Sequence, residues 1–394
     1  MTHRLPDTLA MITRLIQCPS ISSTQAEYDQ GNLSVIHCLA EWLEGVGFQI
    51  DIRPLSAGKA NLIATLGPPD TPGGLVLSGH TDTVPCNPER WHSDPFKATL
   101  RDDRIYGLGS ADMKSFFALV IEAVSRFDIK HLQAPLVVLA TADEESTMQG
   151  AKTLLEQKVR PGRYAIIGEP TGLKPVRMHK GIMMRAVEVL GQAGHSSNPA
   201  LGANAIEGMH VILTQLLDYR DHLKRHRVNP AFAVDHPTLN LGSIQGGDNP
   251  NRICGHCEAR FDVRPLPGMS LAAVDQELRE RLQEALEQQG YPGLSLRYRT
   301  LFDGIPAFET PIDSLLVQVA QTLSGEMATA VDFATEAPFL AQLGLETLVM
   351  GPGYIEQAHQ PDEYLPLAHI EPTINLMTRL MERFCTKTTT PAAA

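Results

Sequence analysis

Short apolar runs alternate along this chain with longer stretches in which hydrophobic residues recur at helical spacing. Three unbroken apolar runs are typical of parallel strands buried on both faces: 75–77, Leu136–Thr141 and 165–168. Residues 33–43 and 113–127 have the spacing of amphipathic helices, and 48–52 and 60–65 read as two strands around a turn. This alternation predicts an α/β fold, with a mixed, mostly parallel sheet flanked by helices.

The pattern changes after Lys180 and Gly181. Between residues 183 and 299 it predicts a strand, a long helix over 203–224, two strands, a second helix and a final strand. That order is enough for a self-contained α+β unit of ordinary domain size. We therefore predict one domain built from 1–182 and 300–394, with 183–299 inserted into it as a lid.

Length, composition and charge narrow the class of protein. A chain of 394 residues exceeds the size at which one core stops growing, which agrees with two domains. The net charge of -12 disfavours nucleic acid and anionic membranes as partners. No stretch approaches the roughly 20 apolar residues that span a bilayer, and the first residues lack the apolar core of a signal peptide. We predict a cytoplasmic protein.

Histidines and acids follow the apolar runs. They stand directly after a run, at the start of a predicted helix or in a later loop: His80, Asp82, Asp112, Glu144, Glu145, Glu169 and His359. Open α/β sheets bind ligands beyond the carboxyl ends of their strands, so these side chains should converge on one edge. Imidazole and carboxylate groups suit zinc or a similar divalent ion, and one shared carboxylate would allow two.

Simpler explanations exist for single members of this set. Asp112 alone could be a helix N-cap, and Glu144 with Glu145 could be a solvated acidic turn. Several acids at strand ends together favour metal ligands. The spacing of Cys254 and Cys257 suggests a redox or zinc site, but a second such pair is missing, so we read them as reduced cysteines beside a strand.

Six motifs extend over most of the chain: SGHTDTVP (78–85), GSADMK (109–114), TADEES (141–146), IGEPT (167–171), GQAGHSS (191–197) and GPGYIEQAHQPDEY (351–364). With them the chain resembles the two-zinc aminoacylase and carboxypeptidase family of metallohydrolases. The sequence departs from these relatives at Ser115, where glycine is common, and at Asn198, where aspartate is common. Neither position is a predicted ligand.

The resemblance implies a pair of zinc sites in each chain, which cobalt can also fill. His80, Asp112 and Glu169 would hold one ion. Asp112, Glu145 and His359 would hold the other, with Asp112 as the bridge between them. The expected fold is a catalytic zinc-binding domain of the two-zinc exopeptidase type, with 183–299 as the lid and dimerisation domain.

The resemblance also assigns catalytic roles. Glu144 would be the general base, and Asp82 would orient the imidazole of His80 through its second nitrogen. His195 would stabilise the oxyanion, in its own site or in that of a neighbouring subunit. The peptide bond between Asp112 and Met113 is expected to be cis, and a homodimer is expected to form through the lid helix 203–224.

Further motifs bear on the substrate: HKG (179–181), the segment 246–269 and TEAPFL (335–340). Asn251 and Arg264 would grip a substrate carboxylate, with Lys180 and Thr335 as further candidates, and Glu336 would face a side-chain ammonium. The resemblance implies hydrolysis of N-acetyl-L-ornithine to L-ornithine and acetate, a step in arginine synthesis. The alternatives are another N-acyl-amino-acid hydrolase, acting on succinyl-diaminopimelate, acetylcitrulline or a dipeptide, and a non-catalytic protein that keeps the fold and binds a ligand.

Overall fold

The computed structural model describes residues 5–68, 71 and 73–386. Its α-helices are α1 (Thr8–Ile16), α2 (Leu33–Gly45), α3 (Lys114–Arg126), α4 (Gln149–Glu156), α5 (Ala205–His226), α6 (Leu271–Gln288), α7 (Leu315–Ser324), α8 (Ala337–Gln342) and α9 (Ile370–Cys385). None of the helices in these described ranges is long and apolar enough to cross a membrane.

The strands of the described residues are β1 (Gln49–Ser56), β2 (Lys59–Leu66), β3 (Leu75–His80), β4 (Thr99–Arg101), β5 (Arg104–Tyr106), β6 (Leu136–Thr141), β7 (Tyr164–Pro170), β8 (Val176–His179), β9 (Ile182–Leu190), β10 (Gly194–His195), β11 (Thr238–Gly246), β12 (Arg252–Ile253), β13 (His256–Arg264), β14 (Ser295–Ile305), β15 (Phe308–Glu309), β16 (Thr329–Val331), β17 (Glu346–Gly351) and β18 (Tyr364–Pro366).

The chain divides into two compact units. The first takes in the described residues of Met1–Arg177, Thr310–Thr329 and Glu336–Ala394, and the second takes in Met178–Glu309 and Ala330–Thr335. The predicted insert, 183–299, lies wholly within the second unit, which extends beyond it at both ends. The roles of the segment 183–299 as a lid and in dimerisation stay predictions.

The main sheet of the first unit runs in the order β1, β2, β6, β3, β7, β17. The last four strands are parallel to one another, whereas β1 and β2 are antiparallel additions at one edge. Every residue of β3, β6 and β7 is buried, as expected for parallel strands covered on both faces. The predicted mixed, mostly parallel sheet flanked by helices is confirmed.

Helix α3 lies at the centre of the first unit. Ten of its thirteen residues are buried, and it packs against α1, α9 and β3. Phe117 and Val120 of α3 belong to the same apolar cluster as Met11 of α1 and Met377 of α9. A helix packed on so many sides has a fixed position, so Asp112, two residues before its first residue, has a fixed position too.

A small antiparallel sheet completes the first unit near residue 364. Its order is β18, β5, β4, and Tyr364 pairs with Tyr106, which also pairs with Thr99. The strands are three residues long and their side chains show no periodicity that predicts them. This pairing anchors the segment that follows His359.

The second unit is an antiparallel sheet in the order β11, β13, β9, β14 with α5 and α6 packed on it. Residues of all these elements except β14 form its buried core, including Val187, Leu216, Phe261 and Leu282, and side chains of β14 pack against that core. The strand, helix and turn order predicted for 183–299 is therefore present.

Candidate metal centre

The ends of parallel strands carry several of the candidate ligands. His80 is the last residue of β3 and pairs with Thr141, the last residue of β6, while Glu169 lies near the end of β7. Asp112 stands before α3. Strand ends and a helix start therefore carry the acids and imidazole to one edge of the sheet.

Two glycines bring the strands close to α3. A Cβ at Gly79 would collide with the side chain of Met113, and a Cβ at Gly168 would collide with the ring of Phe116. Each glycine directly precedes a candidate ligand, His80 or Glu169. The close approach of backbone and helix, which only glycine allows, thus sets the separation of these ligands from Asp112.

The first set of donor atoms contains His80, Asp112 and Glu169. His80 Nε2 lies 2.9 Å from Asp112 Oδ1 and 3.7 Å from Glu169 Oε1. All three side chains are buried. Glu169 Oε1 has no hydrogen-bond partner. A buried carboxylate oxygen without a donor is costly, so this atom fits a position that faces a cation.

The second set contains His359, Glu145 and the other oxygen of Asp112. His359 Nε2 lies 2.9 Å from Glu145 Oε2 and 3.5 Å from Asp112 Oδ2. Asp112 therefore presents one oxygen to each imidazole, which is the geometry that a bridging carboxylate needs. The peptide bond between Asp112 and Met113 is cis, as predicted.

One subset of these atoms is compact enough for a single ion. Donor atoms of His80, Asp112 and Glu145 all lie within 4.8 Å of one another. Imidazole nitrogen with carboxylate oxygen is a common donor set for zinc and similar divalent ions. The chemistry of the donors and their spacing fit a metal centre.

The charge of the centre also fits cations. Two imidazoles stand among five carboxylates: Asp82, Asp112, Glu144, Glu145 and Glu169. Burial raises the pKa of Glu169 well above its usual range, and the negative charge of Asp112 adds to this. Burial also opposes the ionisation of Asp112, but hydrogen bonds from His359 and His80 lower its pKa overall. Divalent ions would neutralise the excess negative charge.

Asp82 contacts His80 and the acidic turn after β6 through different atoms. His80 Nδ1 lies 3.0 Å from the backbone carbonyl of Asp82 and 3.9 Å from its carboxylate. The carboxylate instead accepts the backbone N–H groups of Glu144 and Glu145, at 3.3 and 3.1 Å. Asp82 thus orients the imidazole through its main chain and fixes the acidic turn through its side chain.

Glu144 is half-buried and stands outside both donor sets. Burial raises the pKa of Glu144 well above its usual range. The negative charges of Glu169 and Glu145 raise it further, whereas the charge of His80 lowers it. The turn is held from the other side by Asp143, which accepts from Lys59 Nζ and Ser22 Oγ, each at 2.6 Å. A carboxyl group held here is suited to proton transfer.

Glu363 contributes a support that the sequence reading missed. One oxygen of its buried carboxylate accepts the N–H groups of Ala111 and Asp112, at 2.7 and 2.9 Å, and the other accepts that of Gly109, at 3.0 Å. Burial raises the pKa of Glu363 to about 8, and Asp112 also raises it against the effect of these hydrogen bonds. The acid that ends the QPDE segment was the available signal, four residues beyond His359.

Glu336 is buried in the first unit, beneath the strand ends. Its carboxylate accepts the hydroxyl of Ser78 at 2.5 Å and that of Thr141 at 2.7 Å. Burial raises its pKa. With both oxygens engaged by β3 and β6, this arrangement does not favour the predicted contact with a substrate ammonium.

The second unit contains the remaining predicted site residues. His195 is exposed on β10, and its Nδ1 accepts the backbone N–H of Ser197 at 3.2 Å and lies 2.8 Å from the Ser197 hydroxyl. An N–H can only donate, so the neutral imidazole carries its proton on Nε2. The backbone carbonyl of Asn251 accepts from Ser196 at 3.2 Å, which places Asn251 beside this strand.

Lys180, Arg264 and Thr335 also belong to the second unit. The Lys180 ammonium is buried and meets three oxygens, those of Val234, His236 and Asp332, at 2.7 to 3.0 Å. Three acceptors use its three donors, so this geometry does not favour a substrate contact. Arg264 is partly exposed beside Asp262, and the buried Thr335 donates its N–H to His179 Nε2 at 3.4 Å.

Residues 76–383 match the sequence model of Peptidase family M20/M25/M40. That match covers more than half of the chain. The chain belongs to this family. Its members are metal-dependent hydrolases, and this chain is therefore a metal-dependent hydrolase too.

Curated relatives match over almost the whole length. An acetylornithine deacetylase of Proteus mirabilis is 49% identical over 387 residues, with 98% of each chain covered. An acetylornithine deacetylase of Vibrio cholerae is 48% identical over 381 residues, with 97% of this chain and 99% of the relative covered.

Solved structures of this family share the fold at low identity. Aminopeptidase PepT of Bacillus cereus aligns with a TM-score of 0.74 and 20% identity, over 95% of this chain and 97% of its own. A metallo-carboxypeptidase of Sulfolobus solfataricus aligns with a TM-score of 0.74 and 19% identity, over 96% and 99%.

Proposed function

We propose that the protein hydrolyses the acetyl amide of N-acetyl-L-ornithine to L-ornithine and acetate. The sequence identity of 48–49% to relatives named acetylornithine deacetylase supports the choice of substrate. One structural observation supports the chemistry: two donor sets share Asp112, while the carboxylate of Glu144 is left outside both. A protein that only binds a small molecule has no need of an additional carboxylate, such as that of Glu144, beside the metal-binding atoms.

The proposal includes two zinc ions per chain, with cobalt as a substitute. His80, Asp112 and Glu169 would hold one, and Asp112, Glu145 and His359 the other. Bound divalent ions supply Lewis acidity, which polarises an acyl carbonyl and makes water easier to deprotonate. The unpartnered oxygen of Glu169 and the excess of carboxylates support this assignment.

Glu144 would move the proton. As the oxygen of a water molecule forms a bond to the acetyl carbon, the Glu144 carboxylate takes one of its protons. When the bond between that carbon and the amide nitrogen breaks, Glu144 returns the proton to the nitrogen, which leaves as an amine. Asp82 holds the backbone of Glu144, so it acts by positioning the base.

His195 would donate a hydrogen bond from Nε2 to the oxygen that becomes negative, since Ser197 engages its Nδ1. Asn251, which lies next to β10, and the partly exposed Arg264 would bind the substrate carboxylate, a task for which a guanidinium is suited.

We also propose a homodimer through α5, which would bring His195 to one of the two metal centres of the dimer. Full activity in a species that light scattering shows to be a monomer would refute the dimer.

A cytoplasmic location and a role in arginine synthesis belong to the same proposal. All six cysteines are free thiols, which agrees with a reducing compartment.

A substrate panel tests the proposed function. The purified protein, loaded with zinc, is assayed with the acetyl derivatives of ornithine and citrulline, with succinyl-diaminopimelate and with dipeptides. We expect acetylornithine to have the highest kcat/KM and metal analysis to find two zinc ions per chain. Preference for another member of the panel would replace the substrate assignment, and binding of all members without turnover would refute the enzymatic one.

A further inference from the structure

Two cysteines that are 20 positions apart in the sequence meet in the first unit, and neither belongs to a donor set. Cys18 follows α1 and Cys38 lies within α2, and their sulfur atoms are 3.9 Å apart. Cys18 is buried and Cys38 is half-buried. A disulfide needs sulfur atoms at about 2.05 Å, so closing the bond requires the two sulfur atoms, and the chain that carries them, to move closer together.

The surroundings of the pair favour a reactive thiolate. A hydrogen bond from Cys38 lowers the pKa of Cys18 to about 6 against the effect of burial, and the positive charges of Arg14 and Lys114 contribute further. The negative charge of Cys18 and a hydrogen bond with Cys38 raise the pKa of Arg14, so its guanidinium interacts with both sulfurs. A thiolate next to cations, with a second thiol in contact, is the usual environment of a redox-active cysteine.

We propose that Cys18 and Cys38 form a redox-modifiable dithiol site that closes to an intramolecular disulfide when it meets a peroxide. The Cys18 thiolate attacks one oxygen of hydrogen peroxide, which breaks the O–O bond, releases hydroxide and leaves a sulfenic acid. The Cys38 sulfur then forms the S–S bond, and the sulfenic oxygen leaves as water. In sum, two thiols are oxidised by two electrons and one peroxide is reduced to two waters.

The site is connected to the metal centre by hydrogen bonds. Lys114 Nζ donates to the backbone carbonyl of Cys18 at 3.0 Å, and Lys114 begins the helix that follows Asp112. Two residues beyond Cys18, the Ser20 hydroxyl donates to the carbonyl of Thr81 at 2.8 Å, directly after His80. A backbone shift at Cys18 therefore reaches both sides of the first donor set, and we expect the disulfide to reduce turnover.

Peptide mapping of the full-length protein tests the proposal. The parent is treated with hydrogen peroxide, its remaining thiols are alkylated, and its peptides are analysed by mass spectrometry. We expect the peptides that contain Cys18 and Cys38 to be found as a linked pair, whose mass is two hydrogen atoms less than the sum of the two reduced peptides. Dithiothreitol should separate this pair. Peroxide treatment that leaves both cysteines alkylated, or that oxidises each without joining them, would overturn the proposal.

Two variants give controls. Cys86→Ser removes another half-buried thiol and should still form the disulfide. Cys38→Ser should leave Cys18 as a sulfenic acid that dimedone captures, and should keep the activity of the peroxide-treated protein insensitive to dithiothreitol. The ratio of activities with and without dithiothreitol is compared for parent and variant, so the result does not depend on which substrate is preferred. An oxidised parent that retains the activity of the reduced form would overturn the connection to the metal centre.

Discussion

Replacing Glu363 with glutamine tests whether a buried carboxylate holds Asp112, the proposed bridging ligand, in place. The parent carboxylate accepts three backbone N–H groups, including that of Asp112. A glutamine amide has one acceptor oxygen, so at least one of these donors faces an NH2 group instead. A buried donor without an acceptor costs about 1–3 kcal/mol of the free energy of unfolding. Loss of an outer partner of a metal ligand weakens metal binding by about 10–100-fold.

Equilibrium dialysis with cobalt measures metal affinity, and urea unfolding of the metal-free protein measures stability. Asp362→Asn is the matched control: it removes the neighbouring acid, whose partner His92 is largely exposed. We expect the control to change stability by less than about 1 kcal/mol and to leave cobalt binding unchanged. If Glu363→Gln binds cobalt as tightly as the parent and unfolds at the same urea concentration, the reasoning about Glu363 is wrong.

Three further changes test other parts of the account. Ser197→Ala should lower kcat without changing zinc content, and Ser197→Thr should restore it, because the hydroxyl helps to orient His195; equal kcat values in all three proteins would contradict this. Burial lowers the pKa of His179 to about 4, so the unfolded chain alone takes up this proton between about pH 6.5 and 4. The parent should therefore lose up to about 3 kcal/mol of stability relative to His179→Gln as the pH falls through that range, and parallel urea-midpoint profiles would refute it. Phe117→Ala should destabilise the protein by about 3–5 kcal/mol in the same measurement, because the ring is fully buried; a loss below 1 kcal/mol would show that α3 is not fixed by packing.

The fold could be predicted where the sequence carries one clear period. Strand β6 spans Leu136–Thr141, the predicted apolar run, and α6 is the second helix predicted between residues 183 and 299. The small sheet of β4, β5 and β18 could not be predicted, because its strands have only three residues each and β18 pairs with β5 across more than 250 positions. Helix α4 was also missed: it has eight residues and follows Met148 in a left-handed conformation.

The sequence allowed us to predict which residues the candidate site contains, but not most of the contacts that they make. Convergence of His80 and Glu169 follows from strand ends that share an edge, and the acid at 112 follows from the helix start. Which oxygen of Asp82 meets the imidazole could not be read from the sequence, since it depends on the turn after β3. The role of Glu363 was hidden for a similar reason: its place in the QPDE segment marks an acid close to His359 in sequence, but its partners are backbone groups, which the residue types do not reveal.

Glu144→Ala tests the central claim most directly. Glu145 next to it supplies donor atoms, so removal of Glu144 should take away the proton acceptor and leave the donor sets intact. We expect unchanged zinc content, nearly unchanged affinity for acetylornithine and a turnover reduced by about 10²–10⁴-fold, whereas Glu145→Ala should lose zinc. If Glu144→Ala keeps its zinc and more than about a tenth of the parent turnover, where general-base catalysis should contribute at least about 10²-fold, Glu144 is not the base and the proposed mechanism fails.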